Sequence, residues 1–169
     1  KEAGISEYFT ILDSQDQLRI IKRVMKSKNL DDNLYDPKAL QSFINSQKDK
    51  GKRHKDVNND DDKYIEIYKE YDDACRQTNS VDFADLILLT YEMFKNNPQI
   101  LSYYNKRFQN IMVDEFQDTN TLQFNLLKLI NGNMGSLYAV GDDDQSIYGW
   151  RGARSRNIQF FKDEFKNVE

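Results

Sequence analysis

Asp114 and Glu115 stand side by side at the end of an apolar run, Ile111-Met112-Val113. An apolar run of this kind reads as a buried β-strand that delivers both acids at its C-terminal end. In open parallel sheets that edge is where ligands bind. A strand-end Asp can hold Mg²⁺ through water, while the adjacent Glu can take a proton from an attacking water. A second stretch repeats the design. Leu137 to Val140 reads as a strand, Gly141 allows a turn, and a polar loop follows with Gln145, Tyr148, Trp150 and Arg151. A Trp beside an Arg, flanked by Gly149 and Gly152, suits a platform on which a nucleic-acid base can stack. The other reading of Trp150 is packed core. Asp142, Asp143 and Asp144 are adjacent and cannot all face one ion, so they read as turn or cap residues. Gln117 and Asp118 suit a supporting role as well as a direct one.

The elements that must position these residues follow from pattern. Between the two strands, Asn120 to Ile130 reads as a helix burying Leu122, Leu126 and Leu129 and ending at Asn131-Gly132, a good C-cap. Upstream, the chain reads as helical for about 80 residues on hydrophobic periodicity. Residues 1–12 show no clear period and read as a connector. Ser14 to Gln17 fits a capping box with Ser14 as N-cap, followed by a stripe through Leu18, Ile21 and Val24-Met25 to about Lys28. Asp36-Pro37 reads as N-cap plus N1 proline of a second helix with Leu40, Phe43 and Ile44 on one face. A third helix, 60–79, carries Tyr64, Tyr68, Tyr71 and Cys75 on one continuous face. Interleaved tyrosines can stack bases, but a stripe at this spacing reads as core, and Cys75 as a buried, inert thiol. Phe83, Leu86, Ile87, Thr90 and Phe94 define a fourth helix, stopped by Asn96-Asn97-Pro98. Asp82 sits in its first turn, where a carboxylate complements the helix dipole. A short helix around Gln99 to Tyr104 follows, and Ser155 can cap a last helix carrying Ile158, Phe161 and Phe165.

Lys48, Lys50, Lys52, Arg53 and Lys55 form a basic run, followed by an Asn/Asp run from Asn58 to Asp62. The basic half suits a phosphate contact on a duplex or a solvated loop balanced by the following acids. Charge patterning favours the loop. His54 has no Cys or second His near it in sequence, which speaks against a metal ligand.

Composition narrows the classes. A chain of 169 residues with a formal charge of −4 can bury a real core and is not a wholly basic nucleic-acid coat, although a local basic groove remains compatible with it. The one cysteine rules out an intrachain disulfide framework and suits a reducing, cytoplasmic compartment. No apolar run approaches the roughly 20 residues a membrane span requires, and there is no signal-peptide pattern.

Asp114-Glu115-Phe116-Gln117-Asp118-Thr119-Asn120 and Val140 to Ala153 resemble the second and third conserved motifs of the UvrD/Rep/PcrA-type superfamily 1 DNA helicases, without gaps. Weaker likeness runs through Val81 to Ile87, similar to the family's Asp-Phe-x-Asp-Leu segment, and through Asn157 to Phe165. The pattern departs at Ala84, where an acid is common, and no catalysis is assigned to Asp82 or Asp85. Residues 1–80 match by position and helical character.

The resemblance implies an α/β fold. A helical insertion subdomain with its connector (1–80) would precede a partial RecA-like parallel sheet with flanking helices (81–169) carrying motifs II and III. It implies Asp114 as the Mg²⁺-associated acid, Glu115 as general base, Gln145 as γ-phosphate sensor and Trp150 as the aromatic stacked on single-stranded DNA, with Tyr148 and Arg151 beside it. ATP and Mg²⁺ are the implied cofactors, and single-stranded and duplex DNA the implied partners. No membrane partner is expected.

A phosphate loop, G-x-x-x-x-G-K-[ST], does not occur in these 169 residues. The Gly51-Lys52 pair is followed by Arg53, and Ser46 takes the earlier glycine's place. The family carries that loop upstream and a second motor domain downstream. Starting at Lys1, the chain therefore reads as an internal piece of a helicase, a P-loop NTPase fold lacking its P-loop strand. Its further partner is then the rest of the helicase chain, and alone it should hydrolyse little or no ATP. The competing readings are a non-catalytic DNA-binding or protein-interaction module, a metal-dependent nuclease using Asp114, Glu115 and Asp142 to Asp144, and a subunit of a helicase–nuclease.

Overall fold

The computed structural model describes residues 2–31, 34–58, 62–132, 135–145 and 161. It is mainly helical with two small parallel sheets, each of two strands. The chain divides into two compact units, Lys1–Thr90 and Tyr91–Glu169. No helix among the described residues is long and apolar enough to cross a membrane.

The first unit holds β1 (Thr10–Leu12), α1 (Ser14–Ser27), α2 (Pro37–Asp49), α3 (Asp62–Gln77), β2 (Ser80–Asp82) and the start of α4 (Phe83–Asn96). Its core joins Leu12, Ile21 and Met25 to Leu40 and Ile44 of α2 and to Ile67, Tyr68 and Tyr71 of α3. The tyrosine stripe is core: Tyr68 and Tyr71 are fully buried, and Tyr64 packs against the cluster. Burial pushes the Cys75 thiol up to about 11, consistent with an inert side chain. Asp36 caps α2 by accepting from the Lys38 and Ala39 N–H groups, with Pro37 at the first helical position.

Three local expectations for this unit are corrected. The end of the expected connector forms β1, which pairs in parallel with β2, Thr10 opposite Ser80 and Leu12 opposite Asp82. A three-residue strand is too short to show a period of two. Asn79 secures it with a left-handed backbone (φ 53° is taken by Asn29, φ 48° by Asn79). The Asn79 side-chain amide donates to Ser6 Oγ at 2.6 Å and to the Tyr8 carbonyl at 3.0 Å, and the Asn79 backbone carbonyl accepts from Thr10 N–H. The N-cap of α1 is Asp13 rather than Ser14, with Oδ1 accepting from the Gln15 and Asp16 N–H groups at 2.8 Å. Gln17 is thereby free to turn inward. On α4, Leu88 and Phe94 are buried while Phe83 is 65% exposed.

The basic run is also corrected at Lys48 and Arg53. Lys48, the last core-facing residue of α2, is fully buried, and Arg53 nearly so. Lys48 Nζ lies 2.6 Å from Asp85, 2.8 Å from Asp82 and 3.5 Å from Asp72. Arg53 donates to Asp85 at 2.9 Å. Asp82 accepts in addition from the Tyr71 hydroxyl at 2.8 Å and from Gln17 at 3.3 Å, and it caps α4 through the Asp85 N–H. Burial works against the Lys48 ammonium, but Asp85, Asp82 and Asp72 together outweigh it and hold its pKa above the usual lysine value. Burial likewise opposes ionisation of Asp82, yet Lys48 and the hydrogen bonds leave its pKa below the ordinary carboxylate range. At Asp72 burial prevails and the pKa rises. Lys50, Lys52 and Lys55 stay exposed.

The second unit holds the end of α4, then α5 (Pro98–Arg107), β3 (Asn110–Val113), α6 (Thr121–Asn131) and β4 (Ser136–Ala139). Asn120 and Gln123 form a reciprocal capping box at the start of α6, and Gly132 ends it with φ 59°. The helix carries β3 over to β4, which pair in parallel, Ile111 opposite Leu137 and Val113 opposite Ala139. Parallel neighbours require such a crossover. The expected fully buried strand is half-buried: Ile111 and Val113 face inward, while Met112 is 80% and Tyr138 56% exposed. A pair of strands covered on one face alternates, unlike a sheet buried on both. The expected last helix from Ser155 lies outside the described residues apart from Phe161.

Candidate active site at the end of a parallel strand pair

The β3–β4 ladder continues past the strands: Val140 N–H donates to the Val113 carbonyl at 2.8 Å, and Phe116 N–H to the Val140 carbonyl at 2.9 Å. Between those two bonds the chain must bulge outward, and Asp114 and Glu115 are the residues expelled. Both are exposed. Asp114 Oδ1 accepts from the Glu115 N–H at 2.9 Å, and Glu115 adopts a left-handed backbone, φ 52° and ψ 42°. Such a conformation in a non-glycine residue costs of order 1–3 kcal/mol and persists where the surroundings over-determine it.

Those surroundings are on either side of the bulge. Phe116 is buried, edge-on to Phe124 at 6.0 Å and to Phe161 at 5.4 Å. A short 3-10 turn, Phe116–Asp118, then leads into α6, closed by Asp118 N–H on the Glu115 carbonyl at 2.9 Å.

Gln117, 1% exposed, points back under the bulge. Its Nε2 donates to Glu115 Oε2 at 2.5 Å, and its Oε1 accepts from the Asp142 N–H at 3.0 Å. Gly141 makes room for it, since a Cβ there would lie 2.5 Å from Gln117 Oε1. Asp142 in turn accepts from the Asp144 N–H at 3.0 Å and from Gln145 Nε2 at 2.8 Å. The loop after β4 is thus a capped turn, Asp143–Gln145, the role expected for Asp142.

The structure therefore brings together three of the residues singled out from sequence, Asp114, Glu115 and Gln145, at the C-terminal end of the strand pair. Hydrogen bonds connect Glu115 to Gln145 through Gln117 and Asp142. Tyr148, Trp150 and Arg151 lie outside the described residues. The importance of Gln117 and Asp142 is understated by sequence reasoning. The signal was present in Gly141, which follows a strand and has to admit a neighbouring side chain.

An exposed carboxylate with one oxygen oriented by a backbone N–H fits a hydrated Mg²⁺, which commonly takes one or two protein carboxylates and completes its shell with water and phosphate. Among the described residues no group of three or more acids, histidines or cysteines is placed to hold a metal ion. Outside this unit, His54 Nδ1 faces Asp72 Oδ2 at 3.6 Å. Asp72 already stands beside Lys48 and Arg53, two cations that a metal ion there would have to displace.

The sequence model of the UvrD/REP helicase N-terminal domain matches residues 1–166. The chain is 47% identical over 169 residues to DNA helicase II of Haemophilus influenzae, a match covering 98% of the chain and 23% of that relative. It is 45% identical to DNA helicase II of Escherichia coli, covering 99% of the chain and 24% of the relative. It is 39% identical to the ATP-dependent DNA helicase PcrA of Staphylococcus epidermidis, covering 98% and 24%. The chain spans about a quarter of the length of these relatives.

Proposed function

Because the chain belongs to the UvrD/REP helicase N-terminal domain family, we propose that it is the nucleotide- and DNA-contacting piece of an ATP-dependent DNA helicase. The parent protein moves along single-stranded DNA and opens duplexes in repair or replication, in the cytoplasm. Residues 1–80 are its helical insertion and residues 81–169 part of a RecA-like motor domain whose phosphate-loop strand lies elsewhere in the polypeptide. The observation that carries this reading is the hydrogen-bonded line from Glu115 to Gln145 across the ends of β3 and β4.

In this reading Glu115 is the general base. Its carboxylate accepts a proton as a water oxygen attacks the γ-phosphorus of ATP and the bond to the ADP oxygen breaks. Asp114 would hold hydrated Mg²⁺, which would supply neutralising charge to the phosphate oxygens. Gln145 reports the γ-phosphate to the DNA-binding loop, where Trp150 stacks on a base with Tyr148 and Arg151 beside it. The isolated chain, with no phosphate loop in its sequence, hydrolyses little or no ATP.

The test is Glu115→Gln in the full-length helicase. Hydrolysis stimulated by single-stranded DNA should fall at least about 100-fold, in line with loss of a positioned general base, while DNA affinity is retained. Turnover at the wild-type rate would remove the base assignment. Clear hydrolysis by the isolated 169-residue chain would overturn its description as an incomplete motor.

A further inference from the structure

The Gln117 side-chain amide bridges the two strand-end loops, from Glu115 to Asp142. Asp142 N–H can only donate, so the Gln117 oxygen must face it, and the nitrogen is then directed at the Glu115 carboxylate. Both contacts are made by a side chain that is 1% exposed. The far end of the amide abuts Gly141, where a Cβ would approach within 2.5 Å. Asp142, whose N–H the amide accepts from, holds Gln145 through its own carboxylate at 2.8 Å. The backbone of Glu115 is held left-handed, which leaves its side chain to be aimed from outside its own strand.

We propose that Gln117 is a positioning residue for ATP hydrolysis: its amide clamps the Glu115 carboxylate to the Gly141-Asp142 turn, so the aim of the base follows the loop that bears Gln145. This rests on the reading of Glu115 as the base. A shift of the 141–145 loop toward or away from bound nucleotide moves the Asp142 N–H, and through Gln117 it moves Glu115 Oε2. The base is in position when the loop is, which ties water activation to the state of the γ-phosphate sensor. Gln117 neither touches substrate nor carries a proton.

The experiment is steady-state hydrolysis by the full-length helicase with saturating single-stranded DNA. Gln117→Met keeps the buried bulk and removes both hydrogen bonds. It should lower kcat about 10- to 100-fold, as loss of supporting contacts to reactive groups does, with KM for ATP within about threefold of wild type. Gln117→Glu, equally long but unable to donate to Glu115, should lose as much. Gly141→Ala, whose Cβ would lie 2.5 Å from Gln117 Oε1, should lower kcat in the same sense by displacing the amide.

Wild-type kcat in Gln117→Met or Gln117→Glu overturns the proposal. So does wild-type kcat in Gly141→Ala, or a rise in KM that accounts for the whole defect. Glu115→Gln is assayed alongside. If it retains turnover, the base assignment fails; if it is inactive while Gln117→Met is fully active, only the clamp fails. Should Gln117→Met prove unfolded by thermal melting, Gln117→Glu and Gly141→Ala decide the matter.

Discussion

Lys48 Nζ and Asp85 Oδ2 meet at 2.6 Å with the lysine side chain wholly shielded from solvent. Asp82 and Asp72 complete three carboxylates around this one ammonium, and Arg53 supplies the second cation. Such a cluster ties α2, α3, β2 and the start of α4 to one another, and it leaves little freedom to change one member at a time.

Lys48→Met should therefore destabilise the chain strongly. Removing one partner of a buried ion pair typically costs about 3–5 kcal/mol because the remaining charge is stranded. Here several carboxylates are left facing each other. The urea midpoint of the chain, followed by far-ultraviolet circular dichroism, measures it. A loss below about 1 kcal/mol, the value of an exposed pair, would show that water reaches the cluster.

Two carboxylates of the cluster, Asp82 and Asp72, should show opposite pH dependences. The Asp82 pKa is depressed in the fold, so its contribution is present above the unfolded value of about 3.9 and is lost as pH falls through its folded value. The Asp72 pKa is raised by burial. The fold then holds the Asp72 proton when the unfolded chain has released it, so stability falls as pH rises from about 3.9 through the folded value. Asp82→Asn should flatten the acid loss below that pH, and Asp72→Asn should remove the decline above it. Urea midpoints for both variants across the acid range are the check; identical profiles would contradict the assignment. At neutral pH Asp82→Asn should be the costlier change, since Asp82 accepts from Lys48 and Tyr71 at 2.8 Å whereas Lys48 stands 3.5 Å from Asp72.

Asn79 should prove necessary to β1. In Asn79→Ala the left-handed backbone (φ 48°) becomes unfavourable by roughly 1–2 kcal/mol and the bonds to Ser6 and Tyr8 disappear. Asn79→Gly keeps the backbone and loses only the bonds. Hydrogen exchange at the Thr10 amide, bonded to the Asn79 carbonyl at 3.0 Å, should quicken in both and more in Asn79→Ala. Exchange unchanged in Asn79→Ala would mean that β1 is held by its ladder alone.

Trp150→Ala should weaken single-stranded DNA binding by ~1–3 kcal/mol per lost base stack, a 5- to 150-fold drop in affinity at roughly that energy. Titration of fluorescent DNA at low and moderate salt reads it directly. An unchanged affinity together with a lowered melting temperature would identify Trp150 as core.

By itself the sequence determined what depends on neighbours in the chain. Asp36-Pro37 marks a helix start because a cap bonds to N–H groups two or three residues away. The tyrosines of α3 read as core because 3.6 residues per turn places them on one face. The helicase resemblance was legible for the same reason, being carried by unbroken strings of residues, and the family match over residues 1–166 agrees with it. What only the tertiary structure decided is every pairing across distance. Lys48 reads as one more charge in a basic run until the fold sets it against carboxylates 34 and 37 residues away. β1 has no local signature, because its partner lies 70 positions on, Thr10 with Ser80. Gln117 belongs visibly to a motif, but its grip on Asp142, 25 residues further along, exists only once β3 and β4 lie side by side. Local patterning is written in steric and hydrogen-bond rules of short reach. The burial of a charge and the junction of two loops depend on which distant segments the fold makes neighbours.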